Sequence, residues 1–266
     1  RAPLPSLPPP TWPSPMPRRL SRLALLSACA SLAVPAAAAA PGDPGVPILM
    51  YHVIAEPPSG APYPGLFVSP RLFRAQVREL ARRGYRAVTL ERVYAHWRRD
   101  RPLPRHPIVI SFDDGYRSVY TQAFPILRSL RWPAVLNLET RHERLAWGLR
   151  PRWIRVLLAA GWELDAHSIS HPDLTRVSDG RLAREVAGSR ALLRRQFHVP
   201  VDFFAYPAGR YNRRVIAAVR AAGFLGAATT RYGLARPDEL YTLARVRVDG
   251  NESAIALLAA LRALGS

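Results

Sequence analysis

The sequence contains no lysine: all 38 of its basic residues are arginine, and against 19 acidic residues they leave a net charge of +19. Such a balance invites a nucleic-acid or anionic-surface partner. The arginines, however, are scattered (Arg78, Arg82, Arg83, Arg98, Arg99, Arg152, Arg194, Arg195, Arg213, Arg214) rather than grouped with aromatics in a nucleic-acid motif. No specific nucleic-acid partner is therefore expected. Cysteine is nearly absent too; the single Cys29 excludes an internal disulfide. A linker and an internal repeat are missing after Gly45. Hydrophobic residues make up 48% of the 266, enough to build a core for one large domain or two small ones. With no linker, residues 41–266 read as one domain and a monomer is expected.

The first 40 residues differ from the rest. Residues 1–15 are proline-rich and aperiodic. Met16 then opens MPRRLSR, followed by LALLSACASLAVPAAAAA: a basic stretch, an apolar stretch and a small-residue end. These are the three parts of a secretory signal, which predicts export to the periplasm or cell surface, with translation starting at Met16. A transmembrane reading fits less well, because the run is alanine-rich and contains Pro35. Cleavage is expected at the Ala-x-Ala end near residue 38. The alternative is Leu26-Ser27-Ala28-Cys29, which looks like a lipobox and would anchor the protein to a membrane through a lipidated Cys29.

Beyond Gly45, short apolar runs alternate with helical stretches. Residues 46–54, 85–90, 107–114, 133–138, 162–167, 202–207, 226–230 and 242–248 read as strands. Residues 69–85, 119–130, 151–161, 178–197, 212–224 and 251–264 read as helices, the first with Ser69 as N-cap, Pro70 in its first turn and Gly84 as its stop. This alternation predicts an α/β fold, a distorted (β/α) barrel of about seven parallel strands. In such barrels the chemistry sits at the C-terminal ends of the strands.

Two motifs fall at those ends. In Ser111-Phe112-Asp113-Asp114-Gly115-Tyr116, adjacent carboxylates repel one another unless a positive charge lies beside them. A metal ion on one would leave the other free as a base; an Asp-Asp-Gly turn capping the next helix is the plainer alternative. In His167-Ser168-Ile169-Ser170-His171-Pro172, two histidines four apart can reach one ion from a helical turn or a tight loop, though they could equally face solvent. Two imidazoles and a carboxylate form an open site for zinc or another transition metal, with room for water and substrate.

Taken together, SFDDG and HSISHPDL resemble the NodB-like polysaccharide deacetylases, carbohydrate esterase family 4. VPILMYHVI, SPRLFRAQVRELARRGYRAVTL and FFAYPAGRYN resemble its branch of bacterial poly-N-acetylglucosamine deacetylases, and the likeness spans nearly all of residues 46–250. The resemblance implies one divalent metal ion, zinc first and nickel or cobalt next, held by Asp114, His167 and His171. It implies that Asp113 is the general base and that the Ala208 N–H, following Pro207, stabilises the oxyanion. The stretch Tyr206-Pro207-Ala208-Gly209 would line the substrate site. The implied substrate is an acetylated polysaccharide: poly-β-1,6-N-acetylglucosamine first, peptidoglycan or a chitin-like polymer next. An O-acetyl esterase and a non-catalytic carbohydrate-binding domain are the alternatives.

The chain departs from the family in two places. Many members carry a histidine near the C-terminal end as the acid that protonates the leaving amine, but the last histidine here is His198. His52, at the end of the first strand, is the best substitute, because a closed barrel sets the first strand beside the last. The arginine that many members place before the motif proline is also missing. Arg245 is expected to supply its charge to Asp113, although period two puts Arg247 on the same face. His96, His106, His142 and His198 fall outside any constellation. Trp147, Trp153 and Trp162 offer faces that suit sugar rings, but packing is their simpler reading.

Overall fold

A computed structural model of the chain describes residues 45–265. The expected signal segment, with Cys29, lies outside them. The strands are β1 (Ile48–Tyr51), β2 (Arg86–Ala87), β3 (Pro107–Asp114), β4 (Val135–Leu138), β5 (Glu163–Ala166), β6 (Phe203–Ala205), β7 (Gly226–Tyr232) and β8 (Leu243–Arg247). All their pairings are parallel, in the order β1-β8-β7-β6-β5-β4-β3-β2. A second edge of β1 pairs with β3, from Ile48↔Val109 to Tyr51↔Phe112, which closes β1 and β3–β8 into a seven-stranded barrel. The short β2 borders the start of β3.

The helices are α1 (Pro70–Arg82), α2 (Leu90–Arg99), α3 (Phe124–Ser129), α4 (Pro151–Ala159), α5 (Asp179–Phe197), α6 (Arg213–Ala221) and α7 (Ala254–Gly265). Each strand alternates faces, and the alternation sorts its residues into two cores. Leu49, Tyr51, Ile110, Phe112, Leu136, Leu138 and Leu164 belong to the larger cluster, under the helices. Ile48, Val109, Val135, Phe203, Ala228 and Leu243 form a smaller cluster with Leu90 and Val93 of α2. These are the residues of opposite parity, so the smaller cluster fills the bore. Towards the C-terminal ends the same inward positions turn polar: Ser111 and Asp113, Asn137, Asp165 and His167, and Arg245 are all buried. One end of the bore is mostly apolar and closed by α2; the other is ionic.

Two elements differ from the sequence reading. Of the strand expected over residues 85–90, only Arg86–Ala87 is extended, and the β-branched Val88-Thr89 leads into α2 instead. Thr89 Oγ1 accepts the Arg92 N–H at 3.3 Å, and this N-cap starts a helix the strand reading had missed. The helix expected over 119–130 begins as a π-helical turn, Val119–Ala123, before α3. Pro125 stands at the start of α3 and has no N–H for an α-type bond to the preceding turn, a gap that a widened turn accommodates.

Candidate active site

At the C-terminal mouth of the bore is a cavity of about 650 Å³, lined by His52, Asp113, Asp114, His167, His171, Ala208, Gly209, Thr230 and Arg247 among others. Asp113 ends the inward column of β3 and is 2% exposed. Arg245, on the inward face of β8, donates Nη1–H to Asp113 Oδ1 and Nη2–H to Oδ2, both at 2.8 Å. Its Nε–H goes to the Thr229 carbonyl at 2.7 Å. Asn137 adds a donor to Asp113 Oδ1 at 2.7 Å. Burial alone would raise the Asp113 carboxyl, but Arg245 and the neighbouring histidines pull it well below the usual carboxylate range. Period two left Arg245 and Arg247 equivalent; closure of the barrel separates them. Arg247 lines the cavity and is exposed, whereas Arg245 lies deeper and is 1% exposed.

Asp114 has the parity of the outer face but turns at the strand end, with φ of 72°, into the left-handed region. Gly115 follows with φ of 96°, and a Cβ there would come 2.3 Å from Leu138 Cδ1, so the turn requires glycine. The twist brings Asp114 Oδ1 to 3.4 Å from His167 Nε2 and 3.7 Å from His171 Nε2. His167 ends the inward column of β5, and its Nδ1 lies 2.8 Å from the Ala205 carbonyl, which leaves Nε2 to face Asp114. His171 arrives by a loop, not a helical turn, with Ser168 and His171 both left-handed at φ 65° and 52°. Such a loop costs about 1–3 kcal/mol per strained residue unless its surroundings hold it. Glu185 of α5 holds it, accepting the Ile169 and Ser170 N–H groups at 2.9 Å and the Ser170 hydroxyl at 2.6 Å.

Asp114, His167 and His171 are the one group of three such donors, among the described residues, whose ligand atoms lie mutually close, within 4.8 Å. Ligands about 2.1 Å from a shared ion at the tetrahedral angle sit about 3.4 Å apart. The 3.4 and 3.7 Å separations match that spacing, and the carbonyl behind His167 is the outer support such a ligand needs. The residues therefore fit a divalent cation. Without one, burial pulls His167 down, but the hydrogen bond to Asp114 and both carboxylates hold it above the ordinary imidazole value. Burial and the charge of His167 hold His171 below it.

His52 lies one residue beyond β1, with Nε2 4.0 Å from Asp113 Oδ2. Burial lowers its pKa against the pull of Asp113. Of the Tyr206–Gly209 stretch, Tyr206 lines the cavity with its residue but buries its ring, and its hydroxyl donates to the Tyr241 carbonyl at 3.0 Å. Pro207 is buried. Ala208, with φ of 51°, and Gly209 face the cavity.

Sequence reasoning missed four supports: Asn137, Glu185, Glu139 and His142. His142 stood outside any constellation, yet its Nδ1 lies 2.9 Å from the Asp114 carbonyl and its Nε2 2.5 Å from Glu139. Asn137 could have been found, since it stands one residue before the end of the 133–138 strand reading, on the same inward parity as Asp113. Glu139, Glu185 and His142 carry no local signal.

A carboxylate locked onto a buried arginine, beside an Asp-His-His donor set at the C-terminal end of a parallel barrel, equips a hydrolase. The family model for polysaccharide deacetylases matches residues 100–227. The Bacillus subtilis protein YxkH, which carries a polysaccharide deacetylase name, is 29% identical over 204 residues, 76% of this chain and 71% of its own length. The Streptococcus pyogenes deacetylase PplD, solved in complex with acetate, is similar at a TM-score of 0.76 and 29% identity, over 81% of this chain and 97% of that one. A stretch of 62 residues, 23% of this chain, is 44% identical to the Escherichia coli poly-β-1,6-N-acetyl-D-glucosamine N-deacetylase but spans only 9% of that enzyme. Residues 100–227 thus match a polysaccharide deacetylase domain, and together with these deacetylase relatives the match supports a deacetylase hydrolase.

Proposed function

We propose that this protein hydrolyses the N-acetyl groups of an N-acetylglucosamine polysaccharide, with poly-β-1,6-N-acetylglucosamine the favoured polymer. The observation that carries the reading is the division of labour between two adjacent carboxylates: Asp113 is clamped by Arg245, and Asp114 faces His167 and His171. The choice of polymer is supported by the short, strong match to the Escherichia coli enzyme. Asp114, His167 and His171 would hold the ion, zinc by donor chemistry and nickel or cobalt as alternatives. Bound there, an ion would polarise the acetyl carbonyl and acidify water.

The remaining work falls to side chains. Asp113, kept ionised and oriented by Arg245, takes a proton from water as the water oxygen bonds to the acetyl carbon. The Ala208 N–H finds no backbone acceptor among the described residues, and it is suited to receive the developing oxyanion. His52 gives a proton to the nitrogen as the C–N bond breaks, releasing acetate and a free amino sugar. The expected signal segment would deliver the protein to the periplasm or cell surface. No described helix is long and apolar enough to cross a membrane.

The test is acetate release by the full chain from β-1,6 and β-1,4 acetylated glucosamine oligomers, with added zinc and with chelator. Release that needs metal supports the reading, and the preferred linkage names the polymer. No release from either linkage by metal-loaded protein contradicts N-deacetylation; release from an O-acetylated polysaccharide instead would make it an esterase.

A further inference from the structure

Among the described tryptophans Trp147 is the exposed one, at 41%, whereas Trp162 is packed on Phe112 and Trp153 on Tyr120. A lone exposed apolar side chain is ordinary on a folded surface, but this one is held rigidly. Its ring stacks on Tyr116 with centroids 4.9 Å apart and planes at 24°, and the edge of His142 meets it at 4.4 Å. Its carbonyl accepts the Arg117 N–H at 2.7 Å, and the Leu149 N–H donates to Gly115 at 2.8 Å. The loop folds so tightly that a Cβ on Gly148 would fall 1.8 Å from the His142 carbonyl oxygen.

The rigid unit is joined to the reaction centre. Tyr116 is two residues from Asp114, and His142 bonds the Asp114 carbonyl. Tyr116 and Trp147 wall a separate cavity of about 300 Å³, whose rim carries Arg117, Thr121 and Gln122. Val53 lines the same cavity, directly after His52, and the Ile54 N–H donates to Ser118 Oγ at 3.0 Å. The cavity thus adjoins the catalytic one along both His52-Val53 and Asp114–Tyr116. A polymer whose acetyl group is being cleaved must continue beyond the reacting sugar. A flat apolar face with guanidinium, hydroxyl and amide groups around it matches the apolar face and hydroxyl rim of a pyranose.

We infer that Trp147, backed by Tyr116, is a stacking platform for a sugar unit of the polysaccharide adjacent to the one being deacetylated. The inference rests on the polysaccharide reading above. It makes Trp147 a specificity residue for chain length, not a catalytic one.

The test compares the full-chain protein with Trp147→Ala and Trp147→Phe, all zinc-loaded, on N-acetylglucosamine oligomers of two and six units. Trp147→Ala should raise KM for the hexamer about 10-fold, leave kcat and the dimer unchanged, and retain wild-type metal affinity and Tm. Trp147→Phe should keep most of the affinity. Equal hexamer KM for Trp147→Ala and wild type would overturn the inference, as would an equal kcat loss at both lengths, which would mean Trp147 only props His142. A calorimetric titration with the hexamer reads binding without turnover. Weaker binding by Trp147→Ala sustains the platform even where no acetate is released, equal binding overturns it, and no binding by wild type overturns both readings.

Discussion

At the C-terminal end of the bore Asp113 and Asp114 sit side by side among an arginine and three histidines. Further down the same bore Glu163 and Asp165, on the inward face of β5, sit together and are satisfied differently. Glu163 accepts the Glu91 N–H at the start of α2, with oxygens at 3.0 and 3.2 Å, and Asp165 accepts the Phe203 N–H at 3.0 Å. The other Asp165 oxygen, Oδ2, is buried without a hydrogen-bond partner, and no cation offsets either carboxyl as Arg245 does for Asp113. The electrostatic outcomes are opposite. Asp113 and Asp114 are buried, which would raise them, yet Arg245 and the imidazoles pull Asp113, and the imidazoles alone pull Asp114, below the ordinary value. Burial raises Asp165 to about 7, and burial with the nearby Asp165 raises Glu163 well above its usual range. Burial is common to both pairs; the supply of positive charge sets their titration apart.

The comparison can be broken most forcefully at Arg245. Arg245→Leu leaves Asp113 buried without its counter-charge, and removing one partner of a buried ion pair costs about 3–5 kcal/mol. A thermal melt should fall by roughly 10 °C for a domain of this size, and acetate release should collapse; an unchanged melt would mean that Asp113 does not need the guanidinium. A smaller effect is expected at His142, whose ring steadies the strained Asp114 backbone. His142→Ala should weaken zinc affinity about 10- to 100-fold by equilibrium dialysis, with the barrel intact.

The lower pair gives the smallest and most diagnostic effect. The folded pair keeps a proton that the unfolded chain, with an Asp pKa near 4, would release. Its contribution to stability is therefore full below about pH 4 and is lost as pH rises through about 7. Asp113 works in the opposite sense: its contribution is present above about pH 4 and disappears only in acid. Asp165→Asn keeps an acceptor for the Phe203 N–H and removes one titration. Relative to wild type it should gain on the order of 1–2 kcal/mol between pH 5 and pH 8, read as the change in the melting-temperature difference. No change across that range would mean the pair is not proton-linked.

Much of the upper site was legible because strands announce their ends. The carboxylates of SFDDG and the histidines of HSISH close recognisable strand patterns, and a parallel barrel gathers such ends at one face. Legibility failed where contact depends on closure. Period two could not choose between Arg245 and Arg247; β8 meets β1 at Leu49↔Val246 and Met50↔Arg247, and that register sets Arg245 deeper, against Asp113. It failed for Glu139, Glu185 and His142 because their roles arise from loops folding back, with no periodicity to follow. It failed for α2 because Val88-Thr89 reads as strand until Thr89 is recognised as a cap. The Glu163-x-Asp165 alternation is visible in WELDAH, but nothing local says that burial holds both carboxyls above their usual range.

The central claim is that adjacent carboxylates divide the chemistry, Asp114 towards the metal and Asp113 towards the proton. The direct measurement is zinc content and acetate release on the same preparations of wild type, Asp113→Asn and Asp114→Asn. The account predicts that Asp113→Asn keeps one zinc per chain and loses about 10²- to 10⁴-fold in turnover, while Asp114→Asn loses the metal and the activity together. Full turnover in Asp113→Asn, or loss of zinc from it equal to that in Asp114→Asn, would contradict the division.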